Sequence, residues 1–124
     1  MGGFDKFFYP TGIDIGSTTA KVVIFDEKGT IIFSRYLRHN GSTIETTRKI
    51  FREALILLGD IEVDVAVTGS AALDAKEIFG LPFVQEVVAS THFIQNIFPE
   101  VSTFIEIGGE DSKIIFDYHQ VSVF

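Results

Sequence analysis

The residues with the clearest chemical potential form the segment GIDIGSTTAK at positions 12–21. It places a carboxylate, Asp14, two residues before Gly16, and a run of hydroxyl side chains then leads to Lys21. Glycine allows a ligand to approach the backbone closely, successive backbone N–H groups suit an anion, and lysine adds a compact positive charge. The hydroxyl residues are Ser17, Thr18 and Thr19. The P-loop pattern GxxxxGK[ST] is absent, so this spacing leaves two interpretations open: a phosphate-binding loop, or a β-hairpin with a polar tip.

A second segment, IEIGGEDSK at positions 105–113, repeats this order of residue types. Glu106 lies two residues before Gly108, as Asp14 lies two residues before Gly16. Two such loops in one domain could converge on one phosphate chain with a Mg²⁺ ion, which carboxylates usually hold through water. Two unrelated hairpins with solvated tips are the alternative.

A third candidate is the VTGSA segment at positions 67–71, where a predicted strand runs into a predicted helix. The start of a helix can bind an anion. Ordinary capping of the helix by Ser70 explains the same residues equally well.

The hydrophobic pattern indicates which elements must position these segments. It predicts strands at 11–16, 21–26 and 30–36, a helix from Ser42 to Gly59, a strand at 63–68, helices at 71–79 and 83–98, and strands at 103–107, 112–117 and 120–124. This order predicts a single α/β domain, whose mixed sheet begins with three antiparallel strands and carries helices packed on it.

Composition excludes several classes of function. The 124 residues suit one domain, and a formal net charge of −7 argues against nucleic acid or an anionic membrane surface as a partner. The chain has no cysteine, and no apolar run approaches the ~20 residues that span a bilayer. No signal peptide is evident at the start of the chain, so we expect a soluble, cytoplasmic protein.

Together, GIDIGSTTAK, VTGS and IEIGGEDSK resemble the BadF/BadG/BcrA/BcrD-type ATPases. This family activates 2-hydroxyacyl-CoA dehydratases and benzoyl-CoA reductases, and it belongs to the actin/hexokinase/Hsp70 superfamily. The resemblance implies a ribonuclease-H-like lobe, one of two that hold ATP between them. It also implies that ATP hydrolysis drives an electron into a dehydratase or reductase partner. In the family that electron leaves an iron–sulfur cluster held between two subunits, which implies a homodimer.

The resemblance also implies roles for individual residues. Asp14 would approach Mg²⁺. The first loop, which consists of Gly16, Ser17, Thr18 and Thr19, would bind the phosphates of ATP together with Lys21. In the second loop, Gly108 and Gly109 would close over the γ-phosphate, and Glu110 and Asp111 would be catalytic. The sequence departs from the family at two of its positions: Glu110 stands where glutamine is common, and Ser90 where histidine is.

The family's cluster-binding cysteine and second lobe are not found in this chain. We therefore expect residues 11–124 to be the first lobe of a longer ATPase, inactive on its own. Residues 1–10 do not match the usual start of the family, so we expect them to be a leader. Two alternatives remain: the first lobe of a sugar or carboxylate kinase of the same superfamily, or a non-catalytic interaction domain.

Overall fold

A computed structural model describes residues 6–73, 77, 80–107 and 112–116. Within them lie the strands β1 (Phe8–Ile15), β2 (Thr19–Phe25), β3 (Ile31–Arg38), β4 (Glu62–Thr68), β5 (Thr103–Ile107) and β6 (Ser112–Phe116), and the helices α1 (Thr43–Leu58) and α2 (Glu86–Ile97). Neither helix of this described part is long and apolar enough to cross a membrane.

Four strands form a mixed sheet in the order β3-β2-β1-β4. Strands β1, β2 and β3 pair antiparallel, whereas β4 pairs parallel with β1. The predicted mixed sheet with three antiparallel strands first is therefore confirmed. Because β1 and β4 run in the same direction, their carboxyl ends meet at one edge of the sheet, where Asp14 lies opposite Thr68.

The alternation of side chains along β1 gives the sheet two different faces. Ile13 and Ile15 point into a buried core, which α1 covers with Ile50 and Ala54. Since side chains of a strand alternate between faces, Asp14 points to the opposite face. That face lies towards α2, so Asp14 stands on a strand whose opposite, apolar side is buried in the core.

Several element boundaries differ from the sequence prediction. Strand β1 begins at Phe8 rather than at residue 11, because residues 8–10 continue the parallel ladder with β4. Helix α2 begins at Glu86 rather than at residue 83, because Phe83 forms a parallel bridge with Val67. Ser42 precedes α1 as predicted, although its side chain makes no capping hydrogen bond.

Strands β5 and β6 form a separate antiparallel pair, in which Ile107 lies opposite Ser112. Strand β5 has the predicted limits. The glycines between the two strands, most of the predicted helix at 71–79 and the predicted strand at 120–124 lie outside the described residues.

Gly69, directly after β4, approaches the end of β1 more closely than any side chain would permit. A Cβ atom at Gly69 would lie 2.2 Å from the backbone oxygen of Ile15, and Gly69 has a φ of +110°. The Ala71 N–H donates a hydrogen bond of 2.9 Å to the same oxygen. The turn after β4 can pack on the end of β1 only because residue 69 is glycine.

We expect Gly69→Ala to lower the free energy of unfolding by about 3 kcal/mol or more, because the new methyl group must displace backbone. Gly59→Ala is the matched control: Gly59 also has a positive φ, +80°, but a Cβ there would meet nothing within 4 Å. With a ψ of −165°, Gly59 lies in a region that almost only glycine adopts, so the cost of Gly59→Ala is backbone strain alone, about 1–3 kcal/mol. Urea unfolding of both variants measures the difference, and equal losses would contradict the close approach.

Candidate functional site

A cavity of about 570 Å³ lies at the edge where β1 and β4 end, with α2 and β5 on its other sides. Six of the predicted site residues line it: Asp14, Gly16, Ser17, Thr18, Thr19 and Lys21. The other four predicted residues, Gly108, Gly109, Glu110 and Asp111, lie outside the described residues. The first predicted loop thus forms one wall of a single concave site.

The first loop is a tight connection between β1 and β2. The Gly16 N–H donates to the Thr19 backbone oxygen at 2.9 Å, which closes a four-residue turn. A Cβ at Gly16 would meet only that oxygen, at 3.8 Å, an ordinary contact. The fold therefore does not require glycine at this position, and the open space beside Gly16 belongs to the cavity.

Asp14 and Lys21 face each other across the β1–β2 pair. The Lys21 Nζ lies 3.9 Å from Asp14 Oδ2, and also 5.2 Å from the ring centre of Tyr36. Both charged side chains remain roughly half exposed to solvent. A lysine so placed can turn from the carboxylate towards an anion in the cavity.

The pKa of Asp14 lies above its ordinary value of 3.8. Burial in the cavity wall is the main cause, and the negative charges of Glu86 and Glu106 raise the pKa further. The positive charge of Lys21 acts in the opposite direction. The cavity therefore holds excess negative charge, which a bound cation would relieve.

Glu106 brings the second segment into the same cavity. It lies on β5, and the Ser90 hydroxyl of α2 donates a 2.8 Å hydrogen bond to Glu106 Oε2. The predicted convergence of the two segments thus holds for their described carboxylates, Asp14 and Glu106. Through this hydrogen bond Ser90 orients Glu106.

The third segment also reaches the cavity, through Thr68 and Ser70. The Thr68 Oγ1 is buried and has no hydrogen-bond partner. A buried hydroxyl without a partner is costly, so its position in the cavity wall suits a polar ligand.

Sequence reasoning missed two residues of the site region. Glu86, at the start of α2, acts on Asp14 through its charge. His39, which follows β3, forms a hydrogen bond with the Gly16 backbone oxygen of the first loop. Neither residue belongs to a glycine segment. Tertiary packing brings Glu86 near Asp14 and His39 against the first loop, and a local sequence pattern does not reveal such contacts.

The donor set fits a Mg²⁺ ion that arrives with phosphate. Among the described residues, no group of three or more histidine, cysteine or acidic side chains is arranged to hold a metal by itself. Mg²⁺ usually keeps several waters and binds one or two carboxylates together with substrate phosphates. Asp14 and Glu106 could serve in that way. With no cysteine, the chain offers no thiolate to an iron–sulfur cluster.

Residues 11–122 match the sequence profile of the BadF/BadG/BcrA/BcrD ATPase family. The chain belongs to this family. It is 29% identical over 110 residues to the 2-hydroxyisocaproyl-CoA dehydratase activator of Clostridioides difficile, a match that covers 86% of this chain and 40% of the relative. It is 30% identical over 109 residues to the (R)-2-hydroxyglutaryl-CoA dehydratase activating ATPase of Acidaminococcus fermentans, with 86% and 42% covered.

The fold agrees with this membership. The structure of the activator of the 2-hydroxyisocaproyl-CoA dehydratase from Clostridium difficile, with bound ADPNP, superimposes with a TM-score of 0.66 at 27% identity. The match covers 88% of this chain and 41% of that protein. The predicted ribonuclease-H-like α/β lobe is confirmed, and the chain spans about 40% of the length of the family members it matches.

The raised pKa of Asp14 sets the sign of a pH effect on stability. Because its pKa is raised, Asp14 binds a proton more readily in the folded chain than in the unfolded chain. The contribution of Asp14 to the free energy of unfolding therefore falls as pH rises from about 3.8 through the pKa of Asp14 in the folded chain. We therefore expect Asp14→Asn to be more stable than the wild type at pH 7, with the gain disappearing below pH 3.8. Urea unfolding over a pH series measures this.

Two further variants provide the control, because they change the neighbours of Asp14 in opposite ways. Lys21→Met removes the positive charge, so the Asp14 pKa should rise. Glu106→Gln removes a negative charge, so the same pKa should fall. Carboxyl-carbon NMR titration reports both, and shifts of the same sign would contradict the charge arrangement.

Proposed function

We propose that this chain is the phosphate-binding lobe of an ATPase that activates a 2-hydroxyacyl-CoA dehydratase or a related reductase by ATP-driven electron transfer. The observation that carries the proposal is the shared cavity of the first glycine loop, Thr68 and the carboxylates Asp14 and Glu106. Family membership supports it, as does similarity to relatives named as dehydratase activators.

In this proposal the first loop binds the β- and γ-phosphates of ATP. The open space beside Gly16 admits a phosphate close to the backbone, and the hydroxyl groups of Ser17, Thr18 and Thr19 can donate to its oxygens. Lys21 supplies a point charge. The chemistry thus depends on positioning and charge rather than on a covalent step.

Asp14 and Glu106 are the residues that would hold Mg²⁺, which carboxylates usually bind through water. Bound there, the ion would supply positive charge beside the transferred phosphoryl group. Asp14 suits this role because its half-buried carboxylate faces two other carboxylates and only one lysine. Ser90 keeps Glu106 directed by its hydrogen bond.

The second loop completes the phosphate site in this proposal. By resemblance, Gly108 and Gly109 close over the γ-phosphate, while Glu110 and Asp111 act on the attacking water. Since glutamate stands at 110, its carboxylate would orient or deprotonate that water, where an amide could only orient it.

A second lobe is proposed to supply the adenosine pocket and to close the cavity. The cavity is partly open to solvent, and the chain spans about 40% of its relatives' length. Phosphoryl transfer needs stabilisation from several sides at once. By itself the chain should bind ATP weakly and show no turnover. Its proposed partners are the second lobe, the dehydratase or reductase, and a second copy of the protein that shares the iron–sulfur cluster.

Gly16→Ala tests the phosphate site without disturbing the fold. We expect it to weaken MgATP binding to the chain about tenfold, because a methyl group occupies the space for phosphate, with unchanged stability. The control is Gly12→Ala, because Gly12 also has room for a Cβ but does not line the cavity. Backbone NMR titration measures millimolar affinities. Equal affinity of both variants would contradict the assignment.

ATP hydrolysis by the complete protein, prepared anaerobically, tests the activator function. We expect hydrolysis together with iron–sulfur absorbance, and a loss of hydrolysis of about 100-fold or more in Asp14→Ala with the absorbance retained. Hydrolysis that requires an added sugar or carboxylic acid, without a cluster, would instead support a kinase. Absence of both activities would support a binding module.

A further inference from the structure

His39 lies behind the first glycine loop and does not line the cavity. It follows β3 and is 6% exposed. Its ring Nδ1 lies 2.9 Å from the Gly41 backbone nitrogen, and its Nε2 lies 2.8 Å from the Gly16 backbone oxygen. An amide N–H can only donate, so Nδ1 is the acceptor and Nε2 carries the proton. The imidazole therefore donates to Gly16.

The backbone of His39 holds the same loop at a second point. Its N–H donates to the Thr18 backbone oxygen at 3.0 Å. Two carbonyl groups of the four-residue turn are thus held by one residue, which is 23 positions away from Gly16 in sequence. The turn's own hydrogen bond, from Gly16 to Thr19, leaves the Gly16 oxygen to His39.

The bond to Gly16 fixes the direction of the next amide. In a planar trans peptide unit, the C=O of one residue and the N–H of the following residue point in opposite directions. Holding the Gly16 oxygen towards the buried ring therefore turns the Ser17 N–H away from it. Gly16 and Ser17 line the cavity whereas His39 does not, which is the arrangement expected if this N–H is directed towards the cavity.

Glycine makes such a constraint necessary. Gly16 has wide backbone freedom, so its peptide unit with Ser17 can rotate. The rotated unit would present a carbonyl oxygen to the cavity, and that oxygen would repel phosphate. Residue 16 must be small to leave space for the ligand, and its backbone must then be held from outside the loop.

We propose that His39 is a positioning residue of the phosphate loop, whose Nε2–H holds the Gly16 carbonyl so that the Ser17 amide donates to phosphate. This inference rests on the proposed function. It adds a residue that belongs to none of the glycine segments and that acts only through the backbone of the loop.

Two substitutions separate the two ring nitrogens. The side-chain amide nitrogen of glutamine can take the place of Nε2, so His39→Gln keeps the donor to Gly16. The side-chain oxygen of asparagine can take the place of Nδ1, so His39→Asn keeps the acceptor for Gly41 and loses the donor. Thr47→Val is the control for stability alone, because it removes a buried 2.8 Å hydrogen bond to Thr43 in α1, away from the loop.

The test is backbone NMR of the chain, first without ligand and then titrated with MgATP. Without ligand, the Ser17 amide signal should move in His39→Asn and stay near its wild-type position in His39→Gln and Thr47→Val. With MgATP, His39→Asn should bind about five- to tenfold more weakly, and the other two within about twofold of the wild type. Thermal unfolding ranks the stabilities, and the affinities should not follow that ranking.

Other outcomes overturn the inference or the proposed function separately. If the Ser17 signal is unchanged in His39→Asn, or if affinity falls in step with stability across all three variants, His39 is only a structural residue. If the Ser17 signal moves as expected but the wild type gives no response to MgATP at any loop amide, the phosphate site itself is wrong while the restraint by His39 stands.

Discussion

The close approach of the Gly69 turn to the end of β1 is the constraint on which the site depends. β1 lies at the centre of the sheet, paired antiparallel with β2 and parallel with β4. The chain that leaves β4 passes so close to the Ile15 carbonyl that only glycine fits at position 69. This contact places Thr68 and Ser70 beside the first glycine loop. Without it, the two strand ends would still share an edge but would not form a common cavity wall.

The electrostatics of the cavity explain how an acidic protein could bind a polyanion. The carboxylates of Glu86 and Glu106 act on Asp14, and the positive charge of Lys21 opposes them. With these side chains alone, a free triphosphate would meet mainly repulsion. In the proposed complex a metal–phosphate ligand would reverse that balance, because the cation would offset the carboxylates while backbone amides and hydroxyl groups would donate to the phosphate oxygens. The site therefore suits the magnesium complex of a nucleotide better than the bare anion.

Much of this arrangement could be predicted from local sequence patterns. Alternating apolar residues around Asp14 predicted a strand with one buried face, and the glycine spacing predicted two loops with a carboxylate before each. The structure confirms the first strands, the mixed sheet and the convergence of Asp14 with Glu106. His39 and Glu86 could not be predicted, because they meet the site through contacts between distant parts of the chain. Element boundaries differ from the prediction for the same reason: β1 is longer than predicted because its first residues pair with β4.

The central claim is that the first glycine loop, the end of β4 and β5 surround one metal–nucleotide complex. Paramagnetic broadening by Mn²⁺·ATP, measured in NMR spectra of the chain, tests this directly, because signals near the ion disappear first. We expect the earliest losses at Asp14, Ser17, Thr68 and Glu106, with the amides of α1 between Thr47 and Ala54 unaffected. Broadening confined to one of these segments, or centred on the exposed acidic residues away from the cavity, would contradict a shared site.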